Sequence, residues 1–173
     1  MQATARRNWR SGDNRNEKIS EASFRCRQKN HFGHQNQGWC VIDVADAPIP
    51  FAYTVGLSLN FSHLEILALG MDTRTHGYVL NVFGDKVSTW LCIQNGDVDS
   101  HSSGGKTMFK AVDWTDINKL MGVAVWLYQG EKLTAFQCYW ADKSGFFPFE
   151  SKCRSTVKKM QLILRSDANL SGK

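Results

Sequence analysis

The chain has 173 residues, 42% hydrophobic, 21% charged and 12% aromatic, with three prolines and a formal charge of +5. This composition suits one globular domain with a sizeable core, and no run of about 18 apolar residues offers a membrane-spanning helix. The opening MQATARRNWRSGDNRNEK lacks the apolar centre of a secretory signal, and the five cysteines are odd in number and never form a CxxC pair, so a cytoplasmic protein with reduced thiols is expected, with no membrane contact.

The charge is concentrated at one end. Residues 1–30 carry eight basic side chains against three acids, while thirteen of each cancel over the remainder. Residues 1–15 read as a flexible basic arm. Arg6, Arg7, Arg10 and Arg15 are its candidate nucleic-acid contacts, because a cationic arm gains affinity by releasing counterions from phosphates, and Trp9 adds one stacking surface. No recognition helix or RNA-binding signature accompanies them, so a solvated arm is the plainer alternative.

A short helix is predicted between Asn16 and His31, followed by a Gly/Asn/Gln loop to Gly38. Trp39 to Val44 is rich in β-formers and stops at a turn fixed by Pro48 and Pro50. Phe51, Tyr53, Val55 and Leu57 then alternate with smaller residues, which is strand periodicity with the large side chains on one face. After a Ser-Leu-Asn turn, Leu64 to Gly70 is apolar on both faces and predicts a central strand. Asp72 or Thr73 can cap a helix whose stripe is His76, Leu80, Phe83, Val87, Trp90 and Leu91.

Residues 95–106 read as a polar Gly/Ser loop. Within it, Gly104-Gly105-Lys106-Thr107 is not a phosphate loop, since the upstream glycine is missing and a strand follows rather than a helix. Met108 to Val112 predicts a strand. Thr115 or Asp116 can cap one helix carrying Ile117, Leu120, Met121, Ala124, Leu127 and Tyr128, with Gly130 as its left-handed stop. Leu133 to Trp140 predicts a strand ending in a sharp turn at Asp142–Gly145. A last helix carries Cys153, Val157, Met160 and Leu164. The expected architecture is α+β: a single domain over 16–165, with a mainly antiparallel twisted sheet, three to four helices packed on it, and a disordered tail from 166 to 173.

Two groups of residues are candidates for chemistry. His63 and Glu65 stand two apart, which on a strand puts both on one face, and an imidazole beside a carboxylate is a general-base arrangement. Adding His76 gives two imidazoles and a carboxylate, a divalent-metal donor set. His76, however, lies on an apolar helical stripe, where a satisfied core histidine is the commoner outcome, so neither a metal nor a cofactor is assigned. The second group is a polar-aromatic pocket of Tyr53, Gln137, Trp140, Asp142 and Glu150, with His76 as a further binding candidate. Gln137 in a strand must either pin neighbouring backbone or face a ligand.

Gly38-Trp39-Cys40-Val41-Ile42, PFAYTVGLSLNFSHLEILALG at 50–70, Leu80-Asn81, GVAVWLYQG at 122–130 and AFQCYWADKSGFFPFE at 135–150 occur in this order. Together these blocks, spanning residues 30–155, resemble the bacterial domain of unknown function family 4262. The resemblance implies a small bacterial or phage-associated cytosolic protein without an assigned reaction. Where the family has Gly-His-Pro-Glu and Phe-Pro-Trp-Glu, this chain has Ser62-His63-Leu64-Glu65 and Phe147-Pro148-Phe149-Glu150. His63, Glu65 and Glu150 are kept.

The expected function is a binding or interaction module, of immunity, antitoxin or counter-defence type by analogy, that meets a protein partner or a small molecule. The alternatives are a small hydrolase using His63 and Glu65, and nucleic-acid contact through the arm.

Overall fold

The computed structural model describes residues 37–129 and 132–166. The expected helix at 16–31, the arm with Arg6, Arg7, Arg10 and Arg15, Gly130 and the tail from 167 lie outside them.

Strands β1 (Cys40–Val44) and β2 (Phe51–Val55) form an antiparallel hairpin in the register Cys40↔Val55 to Val44↔Phe51. Pro48 and Pro50 lie in its connection, where a missing N–H breaks no ladder bond. Helix α1 (Leu57–Phe61) replaces the expected turn at 58–60. Strand β3 (Glu65–Leu69), entirely buried, pairs antiparallel with β2. After helix α2 (Thr73–Ser88) the polar loop holds a two-residue strand, β4 (Val98–Asp99), which pairs with β5 (Thr107–Val112).

Next come helices α3 (Trp114–Leu120) and α4 (Gly122–Leu127), strand β6 (Ala135–Trp140) and helix α5 (Ser155–Met160). The sheet order is β1-β2-β3-β6-β5-β4. Every pairing is antiparallel except β3 with β6, which run parallel from Glu65↔Ala135 to Ala68↔Cys138. The protein is thus α+β with a mainly antiparallel sheet, and no described helix is long and apolar enough to cross a membrane.

Strand alternation divides the core between the two faces of the sheet. Phe51, Tyr53, Val55, Leu67, Leu69, Val112 and Ala135 pack against Ile117, Met121, Ala124 and Leu127 of α3 and α4. Ala52, Ile66, Ala68, Phe109, Phe136 and Cys138 pack against Val79, Leu80, Phe83 and Val87 of α2. Each fully buried Leu or Phe contributes about 1.5–3 kcal/mol through lost water contact. The Trp39 indole lies against α2 at Gly84, where an added Cβ would come within 2.3 Å of the ring. That glycine sets how closely the helix approaches.

Several expected elements differ. Five helices are described where three to four were expected. One reason is α1; another is that the single helix expected after Thr115 breaks at Met121, whose ψ of 47° is not helical. Asp113, rather than Thr115 or Asp116, caps α3 through the Thr115 amide at 2.8 Å. The left-handed residue at the far end of that pair is Gln129, at φ 58°.

Helix α2 starts as expected, with Asp72 accepting from the Thr75 amide at 3.0 Å. It stops two residues short of Trp90, so Trp90 and Leu91 leave the apolar stripe for solvent. Helix α5 ends at Met160, leaving Leu164 on an extended segment tied to β5 by a bridge between Val112 and Ser166. Cys92, Cys138 and Cys153 are free thiols, whereas Cys40 is disulfide-bonded, against the expectation of reduced cysteines throughout.

Candidate functional site

The ladder between β2 and β3 stops at Tyr53↔Leu67. Beyond it, the Thr54 hydroxyl takes the Ile66 amide at 2.8 Å in place of a carbonyl and donates to Glu65 Oε2 at 2.7 Å. Glu65 Oε1 accepts from the amides of Gly56 (3.0 Å) and Ser58 (3.1 Å), and from the Tyr128 hydroxyl. These amides stand at the start of α1, whose N-cap Gly56 has no side chain to offer. A carboxylate from the next strand therefore caps the helix and favours its positive end. Glu65 is fully buried. Burial, the adjacent Glu65 charge and the bond to it all push the Tyr128 hydroxyl well above its ordinary pKa.

His63 does not join this cluster. It precedes β3, and its ring lies 6.2 Å from Phe136, a residue of the α2-side core. Nε2 accepts from the Ile93 amide at 3.1 Å, and Nδ1 donates to the Leu64 carbonyl at 2.7 Å, a tautomer fixed by these two partners. The expected sharing of one strand face by His63 and Glu65 fails because the strand begins only at Glu65. Both ring nitrogens hold backbone groups.

Gln137 and Tyr53 lie in register with Leu67 at the middle of β3, and Trp140, Asp142 and Glu150 follow in chain order toward and beyond the far end of β6. His76 is fully buried on α2, with Nδ1 3.1 Å from Asp43 Oδ1 and Nε2 accepting from the Met71 amide at 3.3 Å. Burial lowers its pKa, and the Asp43 bond and charge, together with Asp72, only partly offset this. Asp43 also accepts from the Thr73 hydroxyl at 2.8 Å, so the pair docks the start of α2 onto β1. Gln137 donates to the Leu162 carbonyl at 2.7 Å and accepts from the Leu164 amide at 3.3 Å. Gln161 does the same for Trp140, accepting from its amide at 3.0 Å and donating to its carbonyl at 2.7 Å. The Trp140 indole donates to the Leu69 carbonyl at 2.9 Å.

Asp142 accepts from the amides of Ser144, Phe146 and Arg154 at 2.8–3.1 Å, bonds that lower its pKa, the Arg154 amide most. Glu150 accepts from the Phe147 amide at 2.6 Å. Tyr53 is buried in the other core, its hydroxyl accepting from the Val123 amide at 3.3 Å and its pKa raised by burial.

The expected constellation is thus divided. Glu65 opens β3 opposite Ala135, whereas Asp142 follows the far end of β6, about 20 Å away at the rise of an extended chain. Gln137 lies between them, and Tyr53 bonds across to α4. Among the described residues no group of three or more His, Cys, Asp or Glu side chains is arranged to hold a metal ion. Thr54, Tyr128 and Gln161 complete these networks and were not singled out from sequence. Only Gln161, an amide inside the apolar run Met160–Ile163, carries a local signal. The sequence also gave no hint of Trp90, which is 95% exposed and left-handed at φ 75°.

No curated protein and no solved structure matches the chain. A family model described as a domain of unknown function matches residues 34–154. These residues take in β1 to β6 and the whole Glu65 network, and the chain belongs to this family, DUF4262.

Proposed function

We propose that the protein is a binding module that engages a protein partner through the knuckle after α2. The supporting observation is Trp90. The Trp90 amide bonds to the Val87 carbonyl at 3.0 Å and the Leu91 amide to the Lys86 carbonyl at 3.0 Å, the paired bonds of a Schellman helix stop. Its left-handed position is normally filled by glycine. Tryptophan there costs about 1 kcal/mol in backbone strain and leaves a large amphipathic ring in water. Exposed tryptophan on a rigid element is the residue type that most often anchors protein interfaces. Exposed Leu91 extends the apolar contact.

The test compares the full chain with Trp90→Gly in quantitative pull-downs from native lysate, alongside thermal unfolding. Trp90→Gly should raise stability by about 1 kcal/mol by relieving the left-handed backbone while losing a stoichiometric partner. Retention of that partner by Trp90→Gly, or no stoichiometric partner for the full chain, refutes the reading.

A further inference from the structure

Four lysines meet on one short stretch after β6. Lys106 Nζ donates to the Gly145 carbonyl at 3.3 Å and sits 4.8 Å from the Phe147 ring centroid. Lys110 Nζ lies 3.6 Å from the Phe149 centroid, and Lys152 Nζ lies 5.8 Å from that of Phe146. Lys158 Nζ donates to the Ser151 carbonyl at 3.2 Å. Exposed Lys143, Arg154 and Lys159 belong to the same part of the chain.

The two acids of this stretch, Asp142 and Glu150, accept from backbone amides and keep their charge, Asp142 facing the Arg154 charge as well, but two carboxylates leave the seven cations in clear excess. The ion pairs among the described residues are His76–Asp43, Lys86–Asp99 and Arg165–Asp116, so none of these cations is paired with an acid. Beneath the ammonium groups, Phe149 is 36% exposed and rests edge-on to Tyr139 and stacked with Phe147, which holds its plane.

We infer that this surface binds single-stranded nucleic acid, with the lysines taking phosphates and the rings of Phe149 and Phe146 taking bases. An ammonium over an aromatic face occupies the place of a stacked base. When a base takes the Phe149 face, the Lys110 ammonium is freed for the adjacent phosphate, so one ring–lysine pair serves both parts of a nucleotide. A duplex keeps its bases stacked inside and cannot use the rings, and an acidic peptide brings charge without a flat ring to fill them.

The test is fluorescence anisotropy with labelled oligo(dT) and oligo(U) of about 20 nucleotides and a DNA duplex of equal length. The protein is the full chain carrying Arg6→Gln, Arg7→Gln, Arg10→Gln and Arg15→Gln, so that the arm does not contribute. Both single strands should bind more tightly than the duplex, and the oligo(dT) to oligo(U) ratio tells whether DNA or RNA is preferred.

Lys106→Gln with Lys110→Gln should weaken binding about tenfold and lower the slope of log affinity against log salt by about 1.4, the value for two single-strand phosphates. Lys106→Arg with Lys110→Arg should restore both. Phe149→Leu should weaken binding about tenfold with the salt slope unchanged, and Phe146→Leu serves in its place if that variant unfolds. The inference fails if the arm-neutralised chain does not bind, if duplex binds as well as single strands, or if polyglutamate displaces the oligonucleotide while the phenylalanine variants bind normally.

Discussion

Where the parallel β3–β6 pair begins, a single buried carboxylate gathers its neighbours; from its middle onward along β6, two neutral amides do so. Glu65 serves two main-chain amides and two hydroxyls that come from β2, α1 and the residue after α4. Gln137 and Gln161 each match one donor and one acceptor to backbone, fastening residues 161–164 along β6. A charge in a dry site strengthens every bond it receives, but its loss strands all the donors at once. An amide clasp gives less and loses less.

The sharpest way to break this contrast is Glu65→Ala, which should lower unfolding stability by about 3–5 kcal/mol in urea titration. Glu65→Gln should cost clearly less, because its amide oxygen still accepts from Gly56 and Ser58. If the two variants cost the same, the charge contributes nothing beyond shape. Gln161→Ala should cost about 2 kcal/mol and speed hydrogen exchange at the Trp140 amide while leaving the Gly56 amide protected. Exchange accelerated at both amides would show that the two networks open together.

The smallest expected effect concerns His76. Its folded pKa lies below the ordinary 6.5, so below that pH the unfolded chain takes up the proton first. Its share of stability is complete above about 6.5 and falls as the pH drops through the folded value. His76→Gln should flatten the fall in urea midpoint between about pH 7 and 5, and an unchanged pH profile would remove His76 from the account.

The strands were legible because each carries its own signal: alternation in Phe51–Val55, and an apolar run on both faces of Leu64–Leu69. The α+β class followed from their short connections. What escaped the sequence was set at a distance. Ser58–Asn60 looks like a turn, and becomes helical with Glu65 accepting from the Ser58 amide. Trp90 keeps helical spacing with Val87, yet the helix has already stopped. The break at Met121 is likewise invisible, since Met and Ala fit either a continuous helix or two.

The candidate site was legible as a set of buried polar residues and no further. His63, Glu65, His76, Gln137 and Asp142 are all buried, Asp142 within the turn expected of it. Their partners are mostly main-chain groups, which every residue carries and no motif marks.

The position of β6 also bears on how the protein is made. The last described strand in chain order is inserted between β3 and β5, inside the sheet rather than at its margin. Until Ala135–Trp140 has left the ribosome, a nascent chain presents two unpaired strand edges, one of them the wholly buried β3. Such edges recruit other chains. Synthesis halted before residue 135 would therefore yield sticky fragments instead of a smaller working domain, and slowing translation ahead of that point should raise the burden on chaperones.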